Sequence, residues 1–284
     1  MTMTQQARRL SGKPVREAVL TEVRRGIAEL GRPPGLVVLR VGDDPASVSY
    51  TTSKAQTAAE LGMKSDLRVL PESASQDQVL AEIAGLNADP AVDSYLVQLP
   101  LPEQIDEEGV LLAIDPDKDA DGLHPMNVGR LWTKRPGPVP CTPAGVIRLL
   151  DHYHIPLRGA HAVIVNRSQL VGTPLVRLML NRDATVTVAH TKTRDIPALT
   201  RQADIVVTAA GRAGLLTAEM ISPGATVIDV GITRTADGRL AGDVAAEVWD
   251  VAGAVTPMPG GTGPMTVAML MWNALEAARA RRLA

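Results

Sequence analysis

The fold class can be inferred from the sequence of residues 160–192, AHAVIVNRSQLVGTPLVRLMLNRDATVTVAHTK. Its apolar run Ala160–Val165 predicts a buried strand, Thr173–Leu180 has the spacing of a helix, and Ala184–Ala189 predicts a second strand. Two strands joined by a helix form a βαβ unit, in which the strands are parallel. The stretch therefore predicts an α/β fold with a mainly parallel sheet.

Strand and helix patterns also alternate on both sides of this stretch. The other predicted strands are Leu36–Val41, Ser65–Leu70, Ser94–Leu99, Asp204–Ala209 and Ala225–Val230, and the predicted helices include Lys13–Leu30, Pro45–Leu61, Thr142–His154 and Met265–Leu283. A chain of 284 residues is long enough for two domains. Because the Pro- and Asp-rich stretch Asp115–Pro140 interrupts the alternation, we interpret it as the connection, with residues 1–122 in one domain and 123–284 in the other.

The composition excludes several classes of protein. The 29 basic and 31 acidic residues give a net charge of −2, so no large field of one sign attracts nucleic acid or anionic lipid. The apolar runs are far shorter than the ~20 residues of a membrane helix. The single cysteine, Cys141, cannot form an intramolecular disulfide, and the N-terminal segment lacks the apolar core of a signal peptide. We therefore expect a cytoplasmic protein with a small substrate and with neither a nucleic-acid nor a membrane partner.

Two side chains on the predicted helix Pro45–Leu61 are candidates for chemistry. Tyr50 and Lys54 are four residues apart, so both project from one face of the helix. The same spacing is more often a partly buried tyrosine beside a solvated lysine. Gln98 is predicted at the carboxyl end of a strand, where open α/β sheets assemble their sites. If Gln98 forms a hydrogen bond with Lys54, the two side chains become a candidate proton-transfer site.

The acidic segment Asp117–Gly122 matches the first half of a calcium-binding EF-hand loop. Such a loop requires a bidentate carboxylate at its twelfth position, which is Val128 here, and its ninth position is Pro125. We therefore predict no calcium site, and no other pattern predicts a metal. The segment is either a solvated acidic turn or a source of an aspartate that binds a ligand amidine.

The turn Asn166–Gly172, after the first strand of the quoted stretch, stands where a dinucleotide fingerprint belongs. The spaced glycines of that fingerprint are absent except for the last, so the motif alone is weak. The next strand ends in His190–Lys192, with no carboxylate to accept a hydrogen bond from the ribose of NAD. Arg167 and Thr191 are placed to bind a ribose phosphate instead, which favours NADP over NAD.

A third candidate segment, Thr256–Thr266, precedes the last predicted helix. Its glycines allow the backbone to approach a ligand closely, and the helix N-terminus adds oriented N–H donors. An ordinary flexible turn is the alternative. The flanking prolines favour an ordered loop, because they remove conformations that a hinge would keep.

Taken together, these segments resemble the methylenetetrahydrofolate dehydrogenase/cyclohydrolase family over nearly the whole chain. The segments that carry the resemblance, in family order, are Val41–Ser47 with Tyr50 and Lys54, Leu96–Pro102, Asp119–Asn127, Pro140–Pro143, Val227–Ile232 and Pro257–Thr266. The resemblance implies an N-terminal α/β catalytic domain that binds folate and a Rossmann-type NADP-binding domain, with a cleft between them. It also implies that helix 265–283 returns to pack on the first domain, and that the protein is a homodimer.

The activity that the resemblance implies has two steps of one-carbon folate metabolism. They are the NADP-dependent oxidation of methylenetetrahydrofolate and the hydrolysis of the methenyltetrahydrofolate product to formyltetrahydrofolate. Lys54 is then the catalytic amine, oriented by Gln98, while Tyr50 and Asp121 hold the pterin. The implied substrate-binding residues are Tyr50, Lys54, Val97, Gln98, Leu99, Asp121, Pro259, Gly260, Gly261, Thr262 and Gly263. The implied cofactor-binding residues are Asn166, Arg167, Ser168, His190, Thr191 and Ile232.

The chain departs from the family pattern in the cofactor region. Asn166 stands where the family has glycine, and Thr191 stands where the family has serine. These changes bear on cofactor affinity and on the balance between NADP and NAD rather than on the reaction class. Two other functions stay open: an NADP-dependent dehydrogenase of another pterin or a small hydroxy acid, and a catalytically silent NADP- or folate-binding regulator.

Overall fold

The computed structural model describes residues 6–235 and 238–283. The N-terminal segment that lacks a signal-peptide core begins in residues 1–5, outside that description. The strands are β1 (Arg8–Arg9), β2 (Gly35–Val41), β3 (Lys64–Leu70), β4 (Ser94–Val97), β5 (His161–Val165), β6 (Thr185–Ala189), β7 (Ile205–Thr208), β8 (Thr226–Asp229), β9 (Thr233–Arg234), β10 (Leu240–Ala241) and β11 (Ala254–Val255). The α-helices are α1 (Gly12–Leu30), α2 (Pro45–Glu60), α3 (Gln76–Ala88), α4 (Glu107–Ala113), α5 (Pro125–Trp132), α6 (Cys141–His152), α7 (Gly172–Leu180), α8 (Ile196–Thr200) and α9 (Gly263–Leu283).

The chain forms two compact units, and each is discontinuous in sequence. The six-stranded unit contains Thr142–Thr266 together with the described residues up to Glu17. The three-stranded unit contains Ala18–Cys141 together with the helical residues from Val267 onward. This division differs from the expected boundary at residue 122, because residues 6–17 lie in the six-stranded unit and residues 123–141 lie in the three-stranded unit. The C-terminal helical residues from Val267 onward lie in the unit that contains most of the expected first domain.

The six-stranded unit is built on one parallel sheet, which confirms the expected α/β class. Its strand order is β1-β11-β8-β7-β5-β6, and all neighbouring strands are parallel. The chain passes from β5 to β6 on one side and then returns to β7 on the other side of β5. In open α/β sheets, ligands bind at such a switch in direction, beyond the carboxyl ends of the strands.

The burial of the strands in this unit follows from their sequences. Strand β5 is buried from Ala162 to Val165, as its continuous apolar run predicts, and β7 and β8 are buried throughout. The edge strand β6 is mostly exposed or partly buried. The sequence did not predict β1, because two exposed arginines carry no strand pattern. Its place in the sheet depends on backbone pairing with β11, such as the bond from Arg8 N to the Gly253 carbonyl at 2.8 Å.

The three-stranded unit has the parallel strand order β3-β2-β4, and all seven residues of the central strand β2 are buried. Helix α2 begins where predicted, since the Asp44 carboxylate accepts a hydrogen bond from Ser47 N at 2.8 Å. Gly62, with a φ of 76°, follows its end. Ser75 and Gln78 form a capping box at the start of α3.

The stretch Asp115–Pro140, expected to be an interdomain connection, folds instead as part of the three-stranded unit and contains α5. The physical reason is Lys118, whose side chain is 1% exposed. Its ammonium donates hydrogen bonds to three backbone carbonyls at the end of α3, each at 2.8 Å. Burial lowers the pKa of Lys118, and these carbonyls compensate for lost hydration. The prolines and aspartates of this stretch therefore form turns within a domain.

The C-terminal part of α9 is fixed within the three-stranded unit by buried polar contacts. The Asn273 amide, 6% exposed, donates hydrogen bonds to the carbonyls of Ala120 and Val139, both at 2.9 Å. Arg282 donates to the Leu30 carbonyl at 2.9 Å. Throughout residues 6–235 and 238–283, every helix is too short or too polar to cross a membrane.

Candidate active site

Tyr50 and Lys54 lie one turn apart on α2, in the three-stranded unit. The two side chains have different environments: Lys54 is 6% exposed, whereas Tyr50 is 47% exposed. A buried ammonium is costly unless it has a hydrogen-bond partner. The exposed tyrosine ring, in contrast, offers a flat apolar face and a hydroxyl to a ligand. Helix α2 thus presents a confined amine beside an accessible aromatic ring.

Gln98 is the hydrogen-bond partner of Lys54. Its Oε1 accepts a hydrogen bond from Lys54 Nζ at 3.0 Å, which is the contact that the sequence argument required. Gln98 Nε2 donates to the Leu99 carbonyl at 2.7 Å, so the amide is oriented with its oxygen toward the amine. Strand β4 ends at Val97, but Gln98 N still donates to the Leu39 carbonyl of β2 at 2.8 Å. The amide is therefore held at the carboxyl edge of the three-stranded sheet.

Asp121 lies in a loop that the neighbouring Asp119 shapes. The Asp119 carboxylate is 2% exposed and accepts hydrogen bonds from Gly122 N at 2.9 Å and from His124 N at 2.8 Å. Burial raises the pKa of Asp119 despite these bonds. Since its oxygens are engaged inside the loop, Asp121, which is only partly buried, is the carboxylate left for a ligand. The described residues contain no group of three or more His, Cys, Asp or Glu side chains arranged for a metal.

Cys141 contacts Asp121, a contact that no sequence pattern predicts. Its Sγ lies 3.7 Å from Asp121 Oδ1 and 3.6 Å from the Ala120 carbonyl. Burial and then the Asp121 carboxylate raise the pKa of Cys141 well above its usual value, and the ammonium of Lys54 opposes them more weakly. The thiol is therefore protonated at neutral pH and donates a weak hydrogen bond to the carboxylate.

The two remaining expected substrate contacts in this unit have different exposures. Val97 is 3% exposed and packs in the apolar core of the three-stranded unit. Leu99, two residues later, is partly exposed. The side chain of Val97 therefore supports the sheet, while Leu99 stands beyond its edge.

The expected substrate loop Pro259–Gly263 belongs to the six-stranded unit, whereas α2 belongs to the three-stranded unit. It is ordered by hydrogen bonds: Thr262 Oγ1 donates to the Asp229 carbonyl at 3.0 Å, and the Gly260 carbonyl accepts from Gly12 N at 2.8 Å. Gly260 has a φ of 98°, a conformation that favours glycine. The segment is thus a fixed loop, and the alternative of a flexible turn does not fit these contacts.

Asn166 organises the turn between β5 and α7. Its Oδ1 accepts hydrogen bonds from Ser168 N at 2.7 Å and from Gly172 N at 2.9 Å, and its Nδ2 donates to the Ala209 carbonyl at 2.6 Å. Residue Val171, at the N-cap of α7, provides no side-chain cap. The asparagine that replaces the family glycine therefore caps α7 from six residues upstream. Ser168 Oγ also donates to its Oδ1, at 2.8 Å.

Arg167 and Thr191 stand at equivalent positions beyond adjacent strands. Val165 and Ala189 are paired at the ends of β5 and β6, and each candidate follows two residues later. Both side chains are exposed, and neither has a hydrogen bond or ion pair with another described residue. The turn is ordered by His190 Nδ1, which accepts from the amide after Thr191 at 3.1 Å. A guanidinium and a hydroxyl without partners, beyond strands that end without a carboxylate, fit the binding of a phosphate.

Two buried aspartates at the carboxyl edge of the six-stranded sheet were missed by sequence reasoning. Asp229, at the end of β8, is 2% exposed, and Asp243, after β10, is 0% exposed. Burial raises the pKa of Asp229 to about 6. The signal available for Asp229 was its position at the end of an apolar run, whereas Asp243 follows a short hairpin that no pattern predicted. Ile232, an expected cofactor contact, lies in the loop after Asp229 and is 42% exposed.

Two family models match successive parts of the chain. The model of the tetrahydrofolate dehydrogenase/cyclohydrolase catalytic domain matches residues 10–121. The model of the NAD(P)-binding domain of the same family matches residues 140–282. The two matches follow each other in the order that the resemblance implied and leave only short segments of the chain unmatched.

Several similar proteins carry the name FolD. The bifunctional protein FolD of Thermus thermophilus is 54% identical over 273 residues, which cover 96% of each chain. The crystal structure of the bifunctional FolD enzyme of Campylobacter jejuni has 44% identity and a TM-score of 0.93, covering 96% of this chain and 98% of that one. The Trypanosoma brucei FolD, solved with NADP and an inhibitor, has 39% identity and the same TM-score of 0.93, covering 99% of this chain and 100% of that one. On these matches, the chain belongs to the tetrahydrofolate dehydrogenase/cyclohydrolase family.

Proposed function

We propose that this chain is a bifunctional enzyme that oxidises methylenetetrahydrofolate to methenyltetrahydrofolate with NADP and hydrolyses methenyltetrahydrofolate to formyltetrahydrofolate. The observation that carries the proposal is the hydrogen bond of 3.0 Å between Lys54 and Gln98, within the region matched by the catalytic-domain model. A buried amine held by an oriented amide is an arrangement suited to proton transfer. A protein that only binds NADP or folate, without catalysis, does not require this arrangement.

The three-stranded unit holds the pterin in this proposal. The exposed ring of Tyr50 stacks on the pterin and positions its one-carbon bridge, and the Asp121 carboxylate accepts hydrogen bonds from the pterin amidine. The thiol of Cys141, at 3.7 Å from Asp121 Oδ1, restrains the carboxylate. The other proposed contacts are Val97 and Leu99 at the end of β4 and the loop residues Pro259, Gly260, Gly261, Thr262 and Gly263.

The oxidation step depends on alignment more than on acid–base catalysis. When NADP is bound, it supplies the hydride acceptor. The lone pairs of the two nitrogens that flank the methylene carbon expel the hydride, and the product is the methenyl cation. Tyr50 and Asp121 contribute by holding the carbon in the reactive orientation, which supplies much of the rate enhancement in such reactions.

Hydrolysis of the methenyl cation requires proton transfer, and Lys54 performs it. Water adds to the cationic carbon, Lys54 as the free amine takes a proton from the attacking water, and the resulting ammonium delivers that proton to the ring nitrogen as its bond to carbon breaks. Gln98 holds the amine through its Oε1 in the position that both transfers require. The second proton of the water leaves to solvent, so the products are formyltetrahydrofolate and one proton.

Cofactor binding belongs to the six-stranded unit. Arg167 and Thr191, exposed and without partners among the described residues, bind the ribose phosphate of NADP. The ordered turns around them, formed by Asn166, Ser168 and His190, contact the rest of the dinucleotide together with Ile232. A free cation at this position favours NADP over NAD, because NAD lacks the phosphate. A homodimer in the cytoplasm, without a nucleic-acid partner, completes the proposal as an expectation from the family.

The two half-reactions test the proposal separately. Purified protein with methenyltetrahydrofolate and no cofactor should accelerate the formation of formyltetrahydrofolate, and the same protein with methylenetetrahydrofolate and NADP should form NADPH. NADPH without accelerated hydrolysis identifies a monofunctional dehydrogenase. Turnover of NADP with another pterin or a hydroxy acid, but not with the folate, favours the alternative dehydrogenase. Binding of both ligands with neither reaction identifies a silent regulator.

A further inference from the structure

Two buried aspartates at the carboxyl edge of the six-stranded sheet have no part in the proposed chemistry. Asp229 is the last residue of β8, and Asp243 follows β10. Their side chains are 2% and 0% exposed. Two carboxylates in one buried region are costly unless N–H and O–H groups compensate for lost water. The contacts of the pair show which segments provide that compensation.

Asp243 fixes the loop that follows β7. Its Oδ2 accepts hydrogen bonds from Thr208 Oγ1 at 2.8 Å and from Ala210 N at 2.6 Å. Its Oδ1 accepts from Arg212 N at 2.7 Å. Three donors within five residues of the chain therefore converge on one carboxylate, which determines the path of residues 208–212.

Asp229 fixes the loop after its own strand and connects it to Asp243. Its Oδ1 accepts hydrogen bonds from Gly231 N at 2.9 Å and from Asp243 N at 3.1 Å. Its Oδ2 accepts from Val244 N at 3.0 Å. The carboxylate thus joins the segment after β8 to the segment after β10, and through Asp243 to the loop after β7.

Two glycines show how closely these segments are packed. A Cβ on Gly242 would lie 1.9 Å from Asp229 Oδ2. A Cβ on Gly231 would lie 2.1 Å from Asp243 Oδ1. Asp229 therefore packs against Gly242, which precedes Asp243, and Asp243 packs against Gly231, two residues after Asp229. Any larger residue at either glycine must displace a carboxylate. This reciprocal packing couples the positions of the loops after β8 and β10.

The position of the pair in the sheet indicates which part of a dinucleotide it affects. In a Rossmann-type sheet the two halves of the ligand lie on the two sides of the switch point. Here β6 lies on one side of β5, with the proposed phosphate contacts Arg167 and Thr191 near its end, and β7 and β8 lie on the other side. The loops after β7 and β8 therefore face the nicotinamide half.

We propose, on the basis of the function proposed for this chain, that Asp243 and Asp229 are positioning residues that set the nicotinamide half of the cofactor site by fixing the loops after β7 and β8. Their oxygens are occupied by protein donors, so they act through these loops and do not themselves bind the cofactor. Burial, opposed by these hydrogen bonds, raises the pKa of Asp229 to about 6. A buried carboxylate with a raised pKa is maintained at a cost to stability, which a positional role accounts for.

The test compares two probes that differ in the nicotinamide half. NADP spans both halves of the site, and 2′,5′-ADP carries only the adenosine half with its phosphate. Thr208→Val removes the hydroxyl donor to Asp243 and keeps the shape of the side chain, whereas Thr208→Ser keeps the hydroxyl. Asp243→Asn replaces one carboxylate oxygen by an NH2 group, so at least one of the three donors to Asp243 loses its acceptor. Asp204→Asn, at the opposite end of β7, is the matched control, since its Oδ2 accepts an exposed hydrogen bond from His161 N at 2.8 Å.

Binding by titration calorimetry should separate the variants. Loss of a hydrogen bond to a charged acceptor predicts that Thr208→Val and Asp243→Asn raise the Kd for NADP roughly ten- to a hundredfold. The Kd for 2′,5′-ADP should change less than about twofold, Thr208→Ser should resemble the wild type, and Asp204→Asn should not affect either probe. Dehydrogenase turnover should fall in the first two variants, while hydrolysis of supplied methenyltetrahydrofolate, which uses no cofactor, persists.

Three outcomes decide between the explanations. Equal weakening of NADP and 2′,5′-ADP, together with an equal loss of hydrolysis, assigns the aspartates to the stability of the whole unit and overturns the inference. Unchanged NADP binding in both Thr208→Val and Asp243→Asn also overturns it. If the wild-type protein binds neither probe, the proposed function itself fails. That result is obtained without the variants, so the two failures are distinguishable.

Discussion

Replacement of Lys54 by methionine should separate the two activities of this enzyme. The side chain is 6% exposed, and methionine has a similar length without a charge, so it fills the same space on α2. General acid–base catalysis contributes about 10²–10⁴-fold to a rate. Because only hydrolysis needs that proton transfer, Lys54→Met should lower the cyclohydrolase rate by about this factor and lower the dehydrogenase rate much less.

The fold should survive this substitution. The variant leaves Gln98 Oε1 without its donor at 3.0 Å, which costs about 1–3 kcal/mol for an unpaired buried acceptor. Removal of a buried ammonium offsets part of that cost, and a domain with about 5–15 kcal/mol of stability stays folded. The Kd for NADP should not change, because Arg167 and Thr191 belong to the other unit.

The assay follows the disappearance of methenyltetrahydrofolate, the formation of NADPH and the Kd for NADP in the same preparation. Lys64→Met, an exposed lysine in the same unit, is the matched control and should leave all three unchanged. Undiminished hydrolysis by Lys54→Met refutes the role of Lys54 as proton carrier. A parallel loss of NADP binding shows instead that the variant is misfolded.

Three further changes test the cofactor edge and the buried charges. Arg167→Ala should raise the NADP Michaelis constant roughly ten- to a hundredfold and affect NAD much less, since a guanidinium–phosphate contact is worth about 1.5–3 kcal/mol; equal losses with both cofactors assign Arg167 to the fold or the pyrophosphate. Asn166→Ala should lower the free energy of unfolding by about 1–2 kcal/mol in urea titrations, because α7 loses the acceptor for Gly172 N; an unchanged midpoint contradicts that role. Burial raises the pKa of Asp229 from 3.8 to about 6, so its contribution to stability is complete below pH ~4 and is lost as the pH rises through 6. Relative to Asp229→Asn, the wild type should therefore lose about 3 kcal/mol of unfolding free energy between pH ~3 and ~7, and a constant difference over that range contradicts the shift.

The fold could be predicted from the sequence wherever one short pattern determined one element. The apolar run of β5, the Asp44 cap of α2 and the capping box of α3 each depend on residues within a few positions of each other. The predictions failed where a distant partner decides the structure. The stretch Asp115–Pro140 has the composition of a linker, but the buried Lys118 binds the end of α3 and makes it part of a domain. Strand β1 likewise exists only because β11 is available to pair with it.

In the candidate site, too, contacts between residues close in sequence could be predicted, whereas contacts between distant residues could not. Tyr50 and Lys54 could be paired because four residues on a helix place side chains on one face. The sequence could state that Gln98 had to contact Lys54, but only the structure gives the 3.0 Å contact between them. Cys141 against Asp121, and Asp243 against the loop after β7, could not be predicted, since each pair is separated by twenty residues or more with no periodic pattern between them. The roles of all these residues stay predictions until they are measured.

Catalysis of both steps is best tested with methylenetetrahydrofolate that carries deuterium at both positions of the methylene carbon, supplied together with NADP. One deuterium should leave as hydride and appear on the nicotinamide ring, and the other should remain on the carbon that becomes the formyl group. If one chain performs both steps, singly labelled reduced cofactor and singly labelled formyltetrahydrofolate should form in equal amounts, with the second product formed faster than in a matched solution without protein. Formyl product without label on the nicotinamide, or labelled cofactor with no acceleration of formyl formation, contradicts the claim that this one chain performs both steps.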